Sequence, residues 1–249
     1  MVPHKFAVCI SSSSSVSAGG IIFGGGAYSF PPSKLDLSKN LVFTPIVTNP
    51  NSTAPIYTVG EPSIEYFIKV RSIKVDGTPV RFNSSLLSFD NDGNGGTKIS
   101  TLTAYTTLHS EIYSAIVGVF VGKAEAMKIR RVAAVAPFGA CFSRRSIAYN
   151  GRTGTGVPII DLVMENRSPL LHNKNARWRI YGANSMVEVS TNVSCLAFVD
   201  GGSDVRTAVV VGGLQMEDNL VEFDLVSSEL GISSSLLRFG TSCSQFKGI

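Results

Sequence analysis

The residues best placed for chemistry lie between Asp92 and Thr107. A glycine-rich turn (Gly93, Gly95, Gly96) runs into a short extended piece, Thr97-Lys98-Ile99, and then a hydroxyl-rich turn, Ser100-Thr101-Leu102-Thr103. Apolar residues at Leu108, Ile112, Ile116 and Phe120 follow at helical spacing. A strand, a tight turn and a helix in succession can project a catalytic side chain. This turn, however, holds no acid, base or thiol. A serine hydroxyl does not titrate near neutral pH and is too weak a base to activate water. The turn reads as chemically dead.

The other reactive side chains offer no competing centre. His4, His109 and His172 are far apart, and none has a carboxylate or cysteine at ligand spacing, so neither metal nor cofactor is expected. His109 stands directly before the helical stripe and reads as a cap or surface residue. No Gly-x-Ser-x-Gly elbow supports a Ser-His-Asp triad. The triple glycine Gly24-Gly25-Gly26 lacks the Lys-Ser/Thr that would make it a phosphate cradle, and reads as a tight turn. Four cysteines at wide spacing, with no Cys-x-x-Cys pair, fit disulfides better than zinc or redox chemistry, and leave three pairings open. Asn51-Ser-Thr, Asn83-Ser-Ser and Asn192-Val-Ser read as glycosylation acceptors, whereas Asn166-Arg-Ser, followed by Pro169, is a weaker one.

The scaffold that must position these residues is mostly β. The chain has 249 residues, enough for one large domain or two small ones, and is 44% hydrophobic but only 16% charged. Low charge, many β-branched residues, 24 Gly and 11 Pro point to strands joined by tight turns. The net charge of +4 is mildly basic, but Arg130-Arg131 and Arg144-Arg145 are pairs without interleaved aromatics, which argues against a nucleic-acid partner. No apolar segment approaches the ~20 residues that cross a bilayer, so no membrane partner is expected.

Strands are expected at Lys5–Ile10, Ile21–Phe23, from Leu41, at Tyr66–Val75, Val80–Leu87, Arg130–Ala136, Val157–Val163 and Val209–Val211, with loops at Ser11–Ser15 and Thr48–Pro62. Asp76-Gly77 should close a hairpin between Tyr66–Val75 and Val80–Leu87.

The Gly-Gly-Thr-Lys-Ile-Ser-Thr run resembles the second catalytic turn of the pepsin-like aspartic proteases, written Asp-Ser-Gly-Thr or Asp-Thr-Gly-Thr in active members. Ser100 stands where the Asp would be, and Leu102 where the Gly would be. The resemblance is to the plant branch that no longer cuts peptides: extracellular dermal glycoproteins, xyloglucan-endoglucanase inhibitor proteins, basic 7S globulins, gamma-conglutins and wheat-type xylanase inhibitors. It extends along the chain through Leu41-Val-Phe-Thr-Pro, Glu65-Tyr-Phe-Ile-Lys-Val, Pro137-Phe-Gly-Ala-Cys-Phe, the Trp178 strand with its Asn-Ser-Met-Val turn, Val209-Val-Val-Gly-Gly and Val221-Glu-Phe-Asp.

The resemblance implies a single pepsin-like lobe over 1–249: mostly β, a closed antiparallel structure with a few short helices. It implies that this is the C-terminal lobe of a two-lobed protein, that the N-terminal lobe is a missing partner, and that the chain is a fragment or truncated product. Oxidised cysteines without a signal peptide suggest the same, and a secreted, apoplastic or cell-wall location follows. The resemblance favours the pairings Cys141–Cys195 and Cys9–Cys243. The second closes a loop worth roughly 4–5 kcal/mol in the chain-entropy model.

The family's inhibitors block microbial glycoside hydrolases by inserting loop side chains into the enzyme cleft. The corresponding loop is Asp200-Gly-Gly-Ser-Asp-Val-Arg-Thr, with Asp204 and Arg206, and Arg144 and Arg145 are further rim candidates. A guanidinium is shaped to bridge two carboxylates ~5–5.5 Å apart, the separation in a retaining glycosidase. The other implied role is a storage or hormone-binding globulin. A lone lobe should also expose apolar surface that relatives cover.

Overall fold

The computed structural model describes residues 4–12, 15, 18–53, 61–166 and 176–246. His172, Ser13, Ser14 and residues 54–60 of the expected loop Thr48–Pro62 lie outside them.

Ten strands make one sheet, ordered from edge to edge Phe198–Asp200, Thr106–Leu108, Val209–Val211, Thr97–Ile99, Phe67–Ile68, Val42–Val47, Glu229–Ile232, Leu220–Asp224, Lys5–Cys9 and Gly20–Phe23. Most neighbours are antiparallel, but Phe198–Asp200 with Thr106–Leu108 and Val209–Val211 with Thr97–Ile99 are parallel. The expected closed structure is not formed. One end of the sheet is a three-residue parallel strand and the other the outer strand of an antiparallel hairpin, so no common stagger joins them into a ring. At the open hairpin edge Ile21 and Phe23 are 56% and 66% exposed.

Two four-stranded sheets pack against this one. In the first, Val70–Val75 and Ala176–Ile180 flank Ile160–Met164, and in the second Cys141–Ser143 pairs with Val193–Leu196 and Arg131–Val132. The expected strand Arg130–Ala136 is thus paired only at Arg131–Val132. The helical stripe becomes Ser110–Ala126, 17 residues, longer than the short helices expected of the fold. Its Ile112, Ile116 and Phe120 are fully buried in a cluster with Ile73, Ile160 and Trp178. His109 caps it, its Nδ1 accepting the Glu111 amide at 3.2 Å.

Two strand expectations fail, one for a local reason and one through distant pairing. Asp76 and Gly77 make the turn at φ +45° and +75°, the signs of a type I′ hairpin. The return strand is only Thr78–Pro79, not Val80–Leu87. Pro79 brings no N–H to the ladder. Asn83 Oδ1 then accepts the Ser85 amide at 3.1 Å and starts a 3₁₀ turn over Ser84–Leu87. The run Tyr66–Val75 also divides: Phe67–Ile68 belongs to the large sheet and Val70–Val75 to a smaller one.

Candidate functional site

The hydroxyl turn is held from behind by backbone. Ser100 N donates to Val211 O at 2.9 Å, Gly213 N to Thr103 O at 2.7 Å and Leu214 N to Ala104 O at 2.9 Å. Gly212 fits tightly here, because a Cβ would lie 2.4 Å from the Tyr105 carbonyl carbon. Gln215 Oε1 accepts from both the Thr106 amide and hydroxyl, at 2.9 and 2.7 Å. Within the turn, Ser100 Oγ accepts the Leu102 amide at 3.2 Å. Thr101 is exposed, and Leu102 is 96% exposed, so its bulk projects to solvent rather than against the backbone. Thr103 Oγ1 is buried without a hydrogen-bond partner among the described residues. The turn is built firmly, yet presents only hydroxyls and one leucine.

Beside it lies an ion pair that sequence reasoning missed. Lys98 Nζ meets Glu65 Oε1 at 2.6 Å and donates to Thr53 Oγ1 at 3.1 Å. Glu65 Oε2 accepts from the Thr53 and Ser63 hydroxyls at 2.6 and 2.9 Å. Burial pushes the Glu65 carboxyl up, but the bonds from Lys98, Thr53 and Ser63 outweigh it and hold the group below its ordinary value. Glu65 and Lys98 are 33 residues apart and meet across sheet pairing, so no local spacing signals the contact.

The loop Asp200–Thr207 is anchored at both ends. Asp200 Oδ1 accepts the Ser110 hydroxyl at 2.6 Å and the Gly202 amide at 2.9 Å, and Ser110 N donates to Gly202 O. Those two bonds hold the Asp200 carboxyl below the usual range. At the far end Gly95 N donates to Arg206 O at 2.8 Å, tying the loop to the glycine turn. Gly95 has φ +98°, and a Cβ there would come within 2.2 Å of Ser88 O. Asp204 is exposed and Arg206 half-exposed. A cleft of 530 Å³ is lined by Asp204 and Val205 of the loop together with Phe89, Asp90 and Gly95.

Arg144 and Arg145 sit elsewhere, on a recess of 390 Å³ that shares no residue with that cleft. Arg144 is engaged, with Glu188 at 2.5 Å and the Thr191 carbonyl at 3.2 Å. Arg145 is exposed and has no ion-pair partner among the described residues. The structure therefore places Arg144 and Arg145 on one recess, apart from the cleft beside the Arg206 loop.

Cys9 is bonded to Cys243 and Cys141 to Cys195. Of the glycosylation candidates, Asn83 and Asn192 are exposed and Asn51 is half-buried. Among the described residues no cluster of His, Cys, Asp and Glu has the geometry to hold a metal ion, and no helix is long and apolar enough to cross a membrane.

A family model described as "Xylanase inhibitor C-terminal" matches residues 65–234. A "Probable aspartic proteinase GIP2" of Nicotiana benthamiana is 51% identical over 244 residues, covering 98% of this chain and 53% of that protein. A "Gamma conglutin 1" of Prunus dulcis is 41% identical over 244 residues, covering 98% of this chain and 50% of that protein. Among solved structures, a crystal structure of edgp superposes with a TM-score of 0.90 at 48% identity, covering 99% of this chain and 57% of that one. The chain spans about half the length of the curated relatives it matches. With its mostly β, pepsin-like lobe, the chain belongs to the xylanase inhibitor C-terminal family.

Proposed function

We propose that this chain is a non-catalytic binding lobe, secreted in plant defence, that blocks microbial glycoside hydrolases through the loop Asp200–Thr207. The observation that carries the reading is the loop itself: fastened at Ser110 and Gly95, it offers Asp204 and Arg206 at the surface beside a cleft. A pre-organised loop loses little conformational entropy on docking. Arg206 is the residue whose planar fork suits a pair of catalytic carboxylates.

The turn at Ser100 supports the non-catalytic part. Acid proteolysis needs two carboxylates sharing a proton, and the turn contributes a hydroxyl instead. Two disulfides and the exposed acceptors Asn83 and Asn192 fit a secreted glycoprotein. A complementary N-terminal lobe is the expected partner of the apolar edge at Ile21 and Phe23. The similarity to a gamma conglutin keeps a storage or hormone-binding role as the second reading. Titrating the folded, oxidised chain against xyloglucan-specific endoglucanases and xylanases, with and without Arg206→Ala, separates the two.

A further inference from the structure

We propose that the groove between the hairpin Tyr149–Asn150/Gly154–Thr155 and the segment Glu217–Asp218 is a binding site for a neutral oligosaccharide. It is a different surface from the loop at Arg206 and does not rest on the enzyme-blocking reading.

The groove has a volume of 610 Å³, within the usual range of ligand sites, and continues past Tyr149 into the 390 Å³ recess. Three features set its chemistry. The first is an aromatic plate: Tyr149 is 79% exposed and borders both compartments. Its hairpin is seated closely. A Cβ on Gly154, at φ +76°, would lie 2.5 Å from Ala183 N, one on Gly182 would lie 1.8 Å from Thr155 O, and Thr155 Oγ1 donates to Gly182 O at 3.1 Å. The ring is therefore carried on a fixed support, at low entropic cost to a ligand that stacks on it.

The second feature is a buried carboxylate with unused capacity. Asp218 is only 5% exposed, sits at φ +50° and lines the groove. Its carboxylate accepts one hydrogen bond among the described residues, from Cys243 N to Oδ1 at 2.8 Å, whereas a carboxylate offers about four acceptor positions. Burial raises its pKa, as expected for a charge short of donors. Buried polar groups left short of partners in a concave site mark a candidate for ligand binding.

The third feature is charge. Glu217 and Asp218 line the groove beside Glu188, which is paired with Arg144, and among the described residues no Lys or Arg lines this compartment itself, Arg144 and Arg145 lying in the adjoining recess. Within this compartment the lining disfavours anions and leaves the Asp218 carboxylate to be satisfied by hydroxyl donors. A sugar ring supplies what the three features ask for: hydroxyls for Asp218 and an apolar C–H face for Tyr149. Ser242 and Ser244 add hydroxyls along the same wall.

The test is titration of the oxidised full chain with xylohexaose and cellohexaose, followed by NMR shifts and calorimetry, with hexagalacturonate as the charged control. At least one neutral hexasaccharide should bind, more tightly than the uronate. Tyr149→Ala and Asp218→Asn should each weaken it about tenfold or more, while Tyr149→Phe retains it. Asn keeps an acceptor for Cys243 N and tolerates a positive φ, so Asp218→Asn should fold, and its NMR spectrum checks this. Failure of the folded chain to bind either neutral hexasaccharide, tighter binding of the uronate, or affinity unchanged in either weakened variant would overturn the proposal.

Discussion

Ser110, the first residue of the long helix, donates its hydroxyl to Asp200 Oδ1 across 2.6 Å, and the candidate binding loop departs from that bond. The helix is buried along Ile112, Ile116 and Phe120, so the loop is referred to the hydrophobic core through this side-chain contact and the backbone bond from Ser110 N to Gly202 O. Ser110→Ala should leave global stability within about 1 kcal/mol, the usual worth of one exposed hydrogen bond. It should nonetheless raise amide exchange at residues 201–206 and weaken target binding. The Asp200 carboxyl is held low by the Ser110 hydroxyl and the Gly202 amide. A depressed folded value adds stability above the ordinary Asp pKa that is lost as pH falls through the folded one. Loop protection, measured against the free-chain exchange rate at each pH, should therefore fall in acid, and less so in the Ser110 variant.

Lys98 and Glu65 predict a second, independent acid sensitivity. Their side chains are 14% and 21% exposed, and Glu65 also holds Thr53 and Ser63. Lys98→Met leaves the carboxylate partly buried without its cation, and should cost about 2 kcal/mol at pH 7. Because the Glu65 pKa is lowered on folding, the wild-type advantage should be present above the ordinary Glu value and fade as pH falls through the folded one. Chemical denaturation of both proteins at pH 7 and pH 3 reads the difference directly.

Asp218 should behave in the opposite sense. Its folded pKa is raised by burial, so the native state holds a proton that the unfolded chain has already released, and stability declines as pH rises through that window. Asp218→Asn keeps an acceptor for Cys243 N without the buried charge. It should be neutral or stabilising by about 1 kcal/mol at pH 7, with the gain vanishing below the ordinary Asp value. Denaturation midpoints across pH 3–7 decide this.

The Cys9–Cys243 bond joins residues 234 apart and lies in a small cluster with Tyr28, Phe30, Leu37 and Leu220, separate from the main core. In the chain-entropy model its loss removes about 5 kcal/mol, before any relaxation of the unfolded state. The double variant Cys9→Ala/Cys243→Ala should lower the thermal midpoint by about 10–20 °C, since about 1 kcal/mol shifts a domain of this size by about 2–4 °C. Calorimetry of the two oxidised proteins checks the loss.

What the sequence made legible was local and periodic. Ile112, Ile116 and Phe120 repeat at helical spacing and are buried as a stripe. Asp76-Gly77 carries its own turn chemistry. The return strand after it was misread because Val80–Leu87 has an apolar pattern, while Pro79 and the Asn83 cap stop the ladder. Sheet membership was not legible either: Phe67–Ile68 and Val70–Val75 look like one run, and only their distant partners divide them. The same holds for the site. Arg206 could be named from its loop, but the Lys98–Glu65 pair and the carboxylate of Asp218 depend on contacts between segments far apart in the chain. An open sheet in place of a closed one is likewise a property of how the ends meet, which strand patterns do not encode.

The central claim is tested most directly by the affinity of the oxidised, folded chain for microbial xyloglucan-specific endoglucanases and xylanases, measured beside Arg206→Ala. The account predicts a Kd of about 1 μM or tighter for at least one enzyme, and a loss of about tenfold or more on substitution, the scale of an interfacial arginine anchor. Binding that is indifferent to Arg206, or no binding by a chain shown to be folded, would contradict it.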